Sequence, residues 1–269
     1  MTILTTIAWI FVVVYIVIVV LLYAFQTKLI FFPGRLPADY VFERVPPARE
    51  IWLKTADGER IHALFYPRDT SRVILYFHGN AGDLSGWQFV AQDFAGLPYS
   101  MLIVDYRGYG KSSGTISEKG MYLDADAAYG WLVKNGFRQD GILIYGRSIG
   151  TGVAVDLASR RVCRGLILEA PFSSLGKLAN EKLPLFFPSL YLRYRFNNRA
   201  KINAVKCPVL ILHGSSDDLI PVAHGQQLYQ HFTGEKKKFL LVEGGAHNDL
   251  HAFAQYREFV ERDLVEFFQ

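Results

Sequence analysis

Six short apolar runs recur along the chain: RVILYFHG, SMLIVDYRG, GILIYG, RGLILEAP, CPVLILHG and KKFLLVEGG. Each is continuously apolar at its centre instead of alternating, the pattern of a strand buried on both faces of a parallel sheet. Helical stretches separate them. Residues 117–135 carry Ser117 as an N-cap, acidic residues towards the start and Gly136 as a stop, and further helices are expected over 149–161, 221–232 and 248–268. Ahead of the six runs, IWLKT, an Asp57-Gly58 turn and RIHALFYP read as a β-hairpin. Strand–helix alternation of this kind implies an α/β fold: a mostly parallel, doubly wound sheet with an antiparallel N-terminal hairpin. Ligands of such sheets bind at the carboxyl ends of the strands, so the chemistry is sought there.

Composition excludes several classes. The chain has 269 residues, 51% hydrophobic and 20% charged, which excludes disorder and suits one large domain after an N-terminal extension. Net charge is +4 and spread along the chain. The one tight basic run, Lys236-Lys237-Lys238, opens an expected strand and reads as a solvated strand end, so no nucleic-acid partner is expected. Cys163 and Cys207 are too few for a disulfide framework or a cysteine-based zinc site, although one bridge between them is conceivable.

Residues Ile7 to Phe25 read IAWIFVVVYIVIVVLLYAF, and the first charged side chain is Lys28. At 1.5 Å per residue such a run matches a hydrocarbon core of about 30 Å. A cleaved signal peptide fits less well: no basic segment precedes the run, and no small-x-small site follows it. A single-pass transmembrane anchor over 1–27 is therefore expected. A connecting arm follows over 28–47, irregular because of Pro33, Pro37, Pro46 and Pro47, and the globular domain occupies 48–269. Lys28, Arg35, Arg44 and Arg49 all follow the span, which places the domain in the cytoplasm by the positive-inside rule. A chain lacking 1–27 is then expected to be soluble and active.

After GILIY comes Gly146-Arg147-Ser148-Ile149-Gly150, a G-x-S-x-G pattern between an expected strand and an expected helix. Glycines at both flanks let strand and helix pass closely while the serine hydroxyl protrudes. The following amide, Ile149 N–H, opens the helix and faces a developing oxyanion. A serine nucleophile needs a base, and the base needs an orienting acid. Of seven histidines, His247 follows the last strand in VEGGAHNDL, at the same edge as Ser148, with His251 its nearest competitor. The acid is Asp217 or Asp218, both in the loop after CPVLILHG, and residue chemistry alone barely separates them. A second oxyanion donor is expected from the loop Gly79-Asn80-Ala81-Gly82-Asp83, with Asn80 N–H the candidate.

The order Ser148, Asp217, His247, with HGNAG, DYRGYGKSSG, GRSIG, HGSSDDLIP and GAHNDL, resembles the α/β-hydrolase fold. More narrowly it is similar to the BEM46-like serine hydrolases, which include membrane-associated members. The resemblance covers roughly residues 28 to 268. It implies that the acid is Asp217, that Asn80 and Ile149 supply the oxyanion hole, and that Asp105 and Arg107 are structural. It also implies a short lid over about 172–205. That segment is aromatic-rich, and its side chains either pack onto the sheet or line an acyl pocket or touch the bilayer, with Arg193, Arg195 and Arg199 near lipid phosphates. The expected activity is hydrolysis of an ester or thioester of a small-molecule, lipid or acyl substrate, with no cofactor and no metal. A non-catalytic membrane-tethered scaffold and a serine peptidase or amidase are the rivals.

Overall fold

The computed structural model describes residues 2–42, 48–68 and 71–268; Arg44, Pro46 and Pro47 of the expected arm lie outside the described residues. Eight strands form one sheet: β1 (Arg49–Lys54), β2 (Arg60–Tyr66), β3 (Val73–Phe77), β4 (Ser100–Val104), β5 (Ile142–Arg147), β6 (Gly165–Glu169), β7 (Val209–Gly214) and β8 (Lys237–Val242). Their order is β1-β2-β4-β3-β5-β6-β7-β8. β2 pairs antiparallel with β1 and β4, and every later pairing is parallel. The antiparallel start and parallel remainder are those expected.

The continuous apolar runs are central strands because both of their faces are covered. On β3, Val73, Leu75 and Phe77 join one core layer, while Ile74 and Tyr76 join the other. β5 divides in the same way, with Ile142 and Ile144 on one side and Leu143 and Tyr145 on the opposite side. Each such side chain withdrawn from water contributes about 1.5–3 kcal/mol before conformational entropy is counted. The edge strands differ: β1 is largely exposed and β8 half-buried, with the Lys237 ammonium donating to the Tyr229 and Phe232 carbonyls and Lys238 paired with Asp263.

Helix Glu118–Lys134 begins where Ser117 accepts the Gly120 N–H, and helix Gly150–Arg160 follows β5 directly. The expected helix over 221–232 is present as Ala223–His231. The last expected helix, over 248–268, is broken. Asp249 accepts the Ala246 N–H and Phe253 is extended, so a 3-10 turn at Leu250–Ala252 precedes the helical residues Ala254–Glu258. A π-turn, Phe259–Asp263, then leads to Leu264–Phe267. Cys163 and Cys207 are free, buried thiols with sulfurs 3.0 Å apart.

The N-terminal apolar run is helical over Ile3–Ile30, three residues past the expected boundary. It is long and apolar enough to cross a bilayer, and most of it is exposed. Its C-terminal turns lie against the domain: Gln26 is buried, Thr27 shares a hydrogen bond with Tyr194, and Phe31 packs edge-on against Tyr194. The chain then runs along the sheet's carboxyl edge. Gly82 N–H donates to Phe32 O, Gly34 N–H to Gly82 O, and Gly110 N–H to Gly34 O. The arm over 32–36 is thereby tied by its backbone to two loops of the domain.

Candidate active site

β5 ends in a tight turn because both flanking positions have no room for a side chain. A Cβ at Gly150 would stand 2.2 Å from the Phe77 carbonyl oxygen, and one at Gly146 would stand 2.6 Å from Gly150 O. Ser148 between them has φ 51°, a left-handed conformation that costs a non-glycine residue about 1–3 kcal/mol. The surroundings hold it there: Ser148 N–H donates to Glu169 O at 2.9 Å, and Thr151 Oγ1 donates to Ser148 O at 2.6 Å. Ile149 follows as the N-cap of helix Gly150–Arg160.

Two further strand ends, those of β7 and β8, bring the remaining groups to this turn. Ser148 Oγ lies 3.0 Å from His247 Nε2, and His247 Nδ1 lies 2.7 Å from Asp217 Oδ2. Asp217 Oδ1 accepts the amides of Leu219 and Ile220 at 3.0 and 2.8 Å. Burial pushes the Asp217 carboxyl up. The bonds from His213, His247 and the Ile220 amide outweigh burial and hold it well below the usual carboxylate range. All three side chains are nearly buried. Asp218 is exposed, and its backbone carbonyl accepts Lys182 Nζ; His251 is exposed, outside the hydrogen-bonded trio. Between the alternatives left by the residues, the geometry assembles Asp217 and His247.

Two residues that the sequence reading did not single out steady the histidine loop. Arg147 Nε lies 3.1 Å from the buried Glu169 carboxylate, which also accepts Tyr145 OH at 2.6 Å. The same guanidinium donates to His247 O at 3.4 Å and Asn248 Oδ1 at 3.3 Å and covers the face of Trp87. A carboxylate closing the apolar run LILE was the available signal. Arg107, expected to be structural, is clamped by Asp57 and Asp124.

Asn80, Ser148 and Ile149 line one cavity of about 260 Å³. Its other walls are mainly apolar and come from three places: the lid, with helix Leu175–Lys182; the loop after β7, with Leu219 and Ile220; and the N-terminal helix, with Leu22, Gln26, Leu29 and Ile30. The Asn80 side chain ties the last of these to the loop after β3: Nδ2 donates to Ile30 O, and Oδ1 accepts Phe32 N–H at 3.1 Å and Tyr109 OH at 3.1 Å. Residues 1–27, expected to be dispensable, therefore supply part of the wall beside Ser148. No group of acidic, histidine or cysteine side chains with metal-holding geometry occurs among the described residues.

The sequence profile of the family described as "Serine aminopeptidase, S33" matches residues 68–201. Uncharacterized protein Rv2307c of Mycobacterium tuberculosis is 33% identical over 236 residues, 86% of this chain and 84% of that one. Alpha/beta hydrolase domain-containing protein 17B of Xenopus tropicalis is 36% identical over 225 residues, 79% of this chain and 75% of that one. Among solved structures, the Pyrococcus furiosus esterase Pf2001 superposes with a TM-score of 0.71 over 88% of this chain and all of its own, at 20% identity, a likeness of fold.

Proposed function

The chain belongs to the α/β-hydrolase family, alongside alpha/beta hydrolase domain-containing protein 17B, and we propose that it is a membrane-anchored serine hydrolase cleaving an ester or thioester through an acyl-enzyme. The observation that carries this reading is the unbroken line of hydrogen bonds from Ser148 through His247 to Asp217, at the wall of an apolar cavity.

In this reading Ser148 Oγ attacks the substrate carbonyl carbon as its proton passes to His247 Nε2. The carbonyl oxygen becomes an oxyanion facing the amides of Ile149 and Asn80, each worth about 3 kcal/mol in such a hole. Asp217 keeps the Nδ1 proton in place and stabilises the imidazolium. The tetrahedral adduct collapses, the C–O or C–S bond breaks, and His247 returns the proton to the leaving oxygen or sulfur. Water then enters, loses a proton to His247, and releases the acid and the free serine. The mainly apolar cavity walls favour an acyl group over a polar peptide segment, which is why the ester or thioester is placed ahead of an amide.

The helix Ile3–Ile30 is about 42 Å long at 1.5 Å per residue, more than a hydrocarbon core of about 30 Å. With Lys28 and Arg35 following it, the domain is assigned to the cytoplasmic side. Protease added outside intact cells should leave the domain whole, and digestion without lysis would reverse the orientation. For the activity, the test is labelling of the full chain by a fluorophosphonate, followed by turnover of p-nitrophenyl esters of rising chain length beside a thioester and an anilide. Labelling lost in Ser148→Ala and faster ester than anilide turnover are expected. Failure to label Ser148 would leave the scaffold reading, and preference for the anilide would leave the amidase.

A further inference from the structure

The lid segment from Leu183 to Leu192 reads LPLFFPSLYL, with no charged residue between Lys182 and Arg193. Its tip is not packed onto the sheet: Leu185 is 74% exposed, Phe187 56% and Leu190 81%. A soluble surface rarely shows so much contiguous apolar area without something to cover it. The N-terminal helix runs beside this tip. Tyr15 stacks on Phe186, with ring centroids 5.6 Å apart, and its hydroxyl donates to Leu185 O at 3.0 Å. Lower on the same helix, Arg193 N–H donates to Gln26 Oε1, and the Arg193 guanidinium covers the Tyr23 ring.

The axial distance from Lys28 to Tyr15 is about 20 Å at 1.5 Å per residue. If Lys28 stands at the water boundary of a spanning helix, the tip that touches Tyr15 is well inside a hydrocarbon core of about 30 Å. Non-helical backbone at that depth requires internal hydrogen-bond partners. The tip supplies several. Phe186 N–H donates to Leu183 O, Leu190 N–H to Phe187 O and Leu192 N–H to Pro188 O, while Asn180 serves both the amide and the hydroxyl of Ser189. Pro184 and Pro188 have no amide hydrogen to satisfy. The Tyr15 bond to Leu185 O closes a carbonyl that water would otherwise reach.

We propose that the lid tip, residues 183–192, is immersed in the bilayer against the N-terminal helix, so that the cavity beside Ser148 opens sideways between helix and lid and takes its acyl chain directly from the membrane. The occupant of the exposed apolar face is lipid, because the face is continuous with a helix that needs lipid over its own surface. Leu22 and Leu29 on one side and Leu183 and Tyr191 on the other are the walls such a chain meets. The depth of the tip does not depend on the chemistry, whereas the entry of the acyl chain rests on the serine hydrolase reading above.

The test uses the full chain in phosphatidylcholine vesicles. A nitroxide is attached through Leu185→Cys, with Val162→Cys, an exposed site elsewhere on the domain, as reference and the unsubstituted chain as the labelling blank. Collision with dissolved oxygen should dominate at 185, and collision with a water-soluble nickel chelate at 162. Chelate access at 185 equal to that at 162 would overturn the proposal, as would protection from both agents, which would mean that protein covers the tip. The second arm is the double variant Leu185→Asp with Leu190→Asp, neither side chain lining the cavity. Turnover of a long-chain ester dissolved in the vesicles should fall at least tenfold, with a water-soluble acetate ester little changed. An equal effect on both substrates would overturn lateral entry. Fluorophosphonate labelling of the same samples reports separately on the nucleophile.

Discussion

Two buried aspartates close strands of the same sheet, and each is flanked by two histidines. Asp217 follows β7 and faces His247 and His213; Asp105 follows β4 and faces His78 and His62. Burial pushes both carboxyls up, and the flanking imidazoles, joined at Asp217 by the Ile220 amide, more than offset it, leaving each carboxyl below its ordinary range. The difference lies in the second ring nitrogen. His247 meets Asp217 at 2.7 Å and extends its other nitrogen to Ser148 at the cavity wall. The rings beside Asp105 stand 3.5 and 3.9 Å away, and their outer nitrogens reach the Gly79 carbonyl and the Glu50 carboxylate, neither a nucleophile. A histidine–aspartate pair becomes a proton relay through what the imidazole's far side touches. The Asp105 cluster instead supports the loop that carries Asn80, since Tyr106 OH donates to His78 O two residues before it.

The largest expected effect breaks the Asp217 relay at its far end. Ser148→Ala should lower ester turnover by about 10⁶-fold while thermal unfolding changes little. Residual turnover of a few per cent would mean that another group is the nucleophile. Next, Asp217→Asn should lower kcat by about 10⁴-fold by holding His247 in the wrong tautomer, with Asp218→Asn within a few-fold of wild type. Asp105→Asn should do the converse. Stability in urea should fall by about 3 kcal/mol as a buried charge cluster is disrupted, with turnover per fluorophosphonate-titratable site within tenfold of wild type. Equal kinetic losses at Asp105 and Asp217 would erase the distinction between the two clusters.

Gly150→Ala pushes a methyl group into the Phe77 carbonyl, and should cost about 2 kcal/mol or more of stability, read by urea unfolding. The smallest effect is on acid stability. The ionised Asp217 is favoured in the folded state, so its contribution is complete above the ordinary carboxylate range and disappears as pH falls towards its lowered value. The pH-dependent part of the stability difference between wild type and Asp217→Asn should therefore fade below about pH 4, as measured by denaturant titration at each pH.

Features with a local cause were legible in the sequence. The uninterrupted apolar runs became central strands, Ser117 capped its helix, and the glycines around Ser148 marked the elbow. Asp217 and Asp218 were indistinguishable as residue types because their separation is a matter of backbone. Only the first folds its carboxylate over the amides of residues 219 and 220, and that turn leaves the second in solvent. The break near residue 249 was missed because helical spacing continues through it, while the Asp249 side chain is committed to the Ala246 amide. The N-terminal helix as a cavity wall had no local signature. Its partners in the lid lie 167 to 170 residues further along the chain.

That separation has a consequence in time. At about 5–20 residues per second, the ribosome takes on the order of 10–30 s to go from Gln26 to Arg193. In the anchored reading, the helix waits in the bilayer for that interval with its lid-facing stripe uncovered. Most of the stripe, including Leu22 and Leu29, is at home in lipid. Gln26 is the exception, and its amide donates to Tyr23 O one turn earlier on its own helix at 2.9 Å, so half of the side chain is satisfied before its partner is made. The other half, Oε1, stays open for the Arg193 amide. A polar group left half-paired in hydrocarbon is a docking signal that holds its place until the last third of the chain arrives.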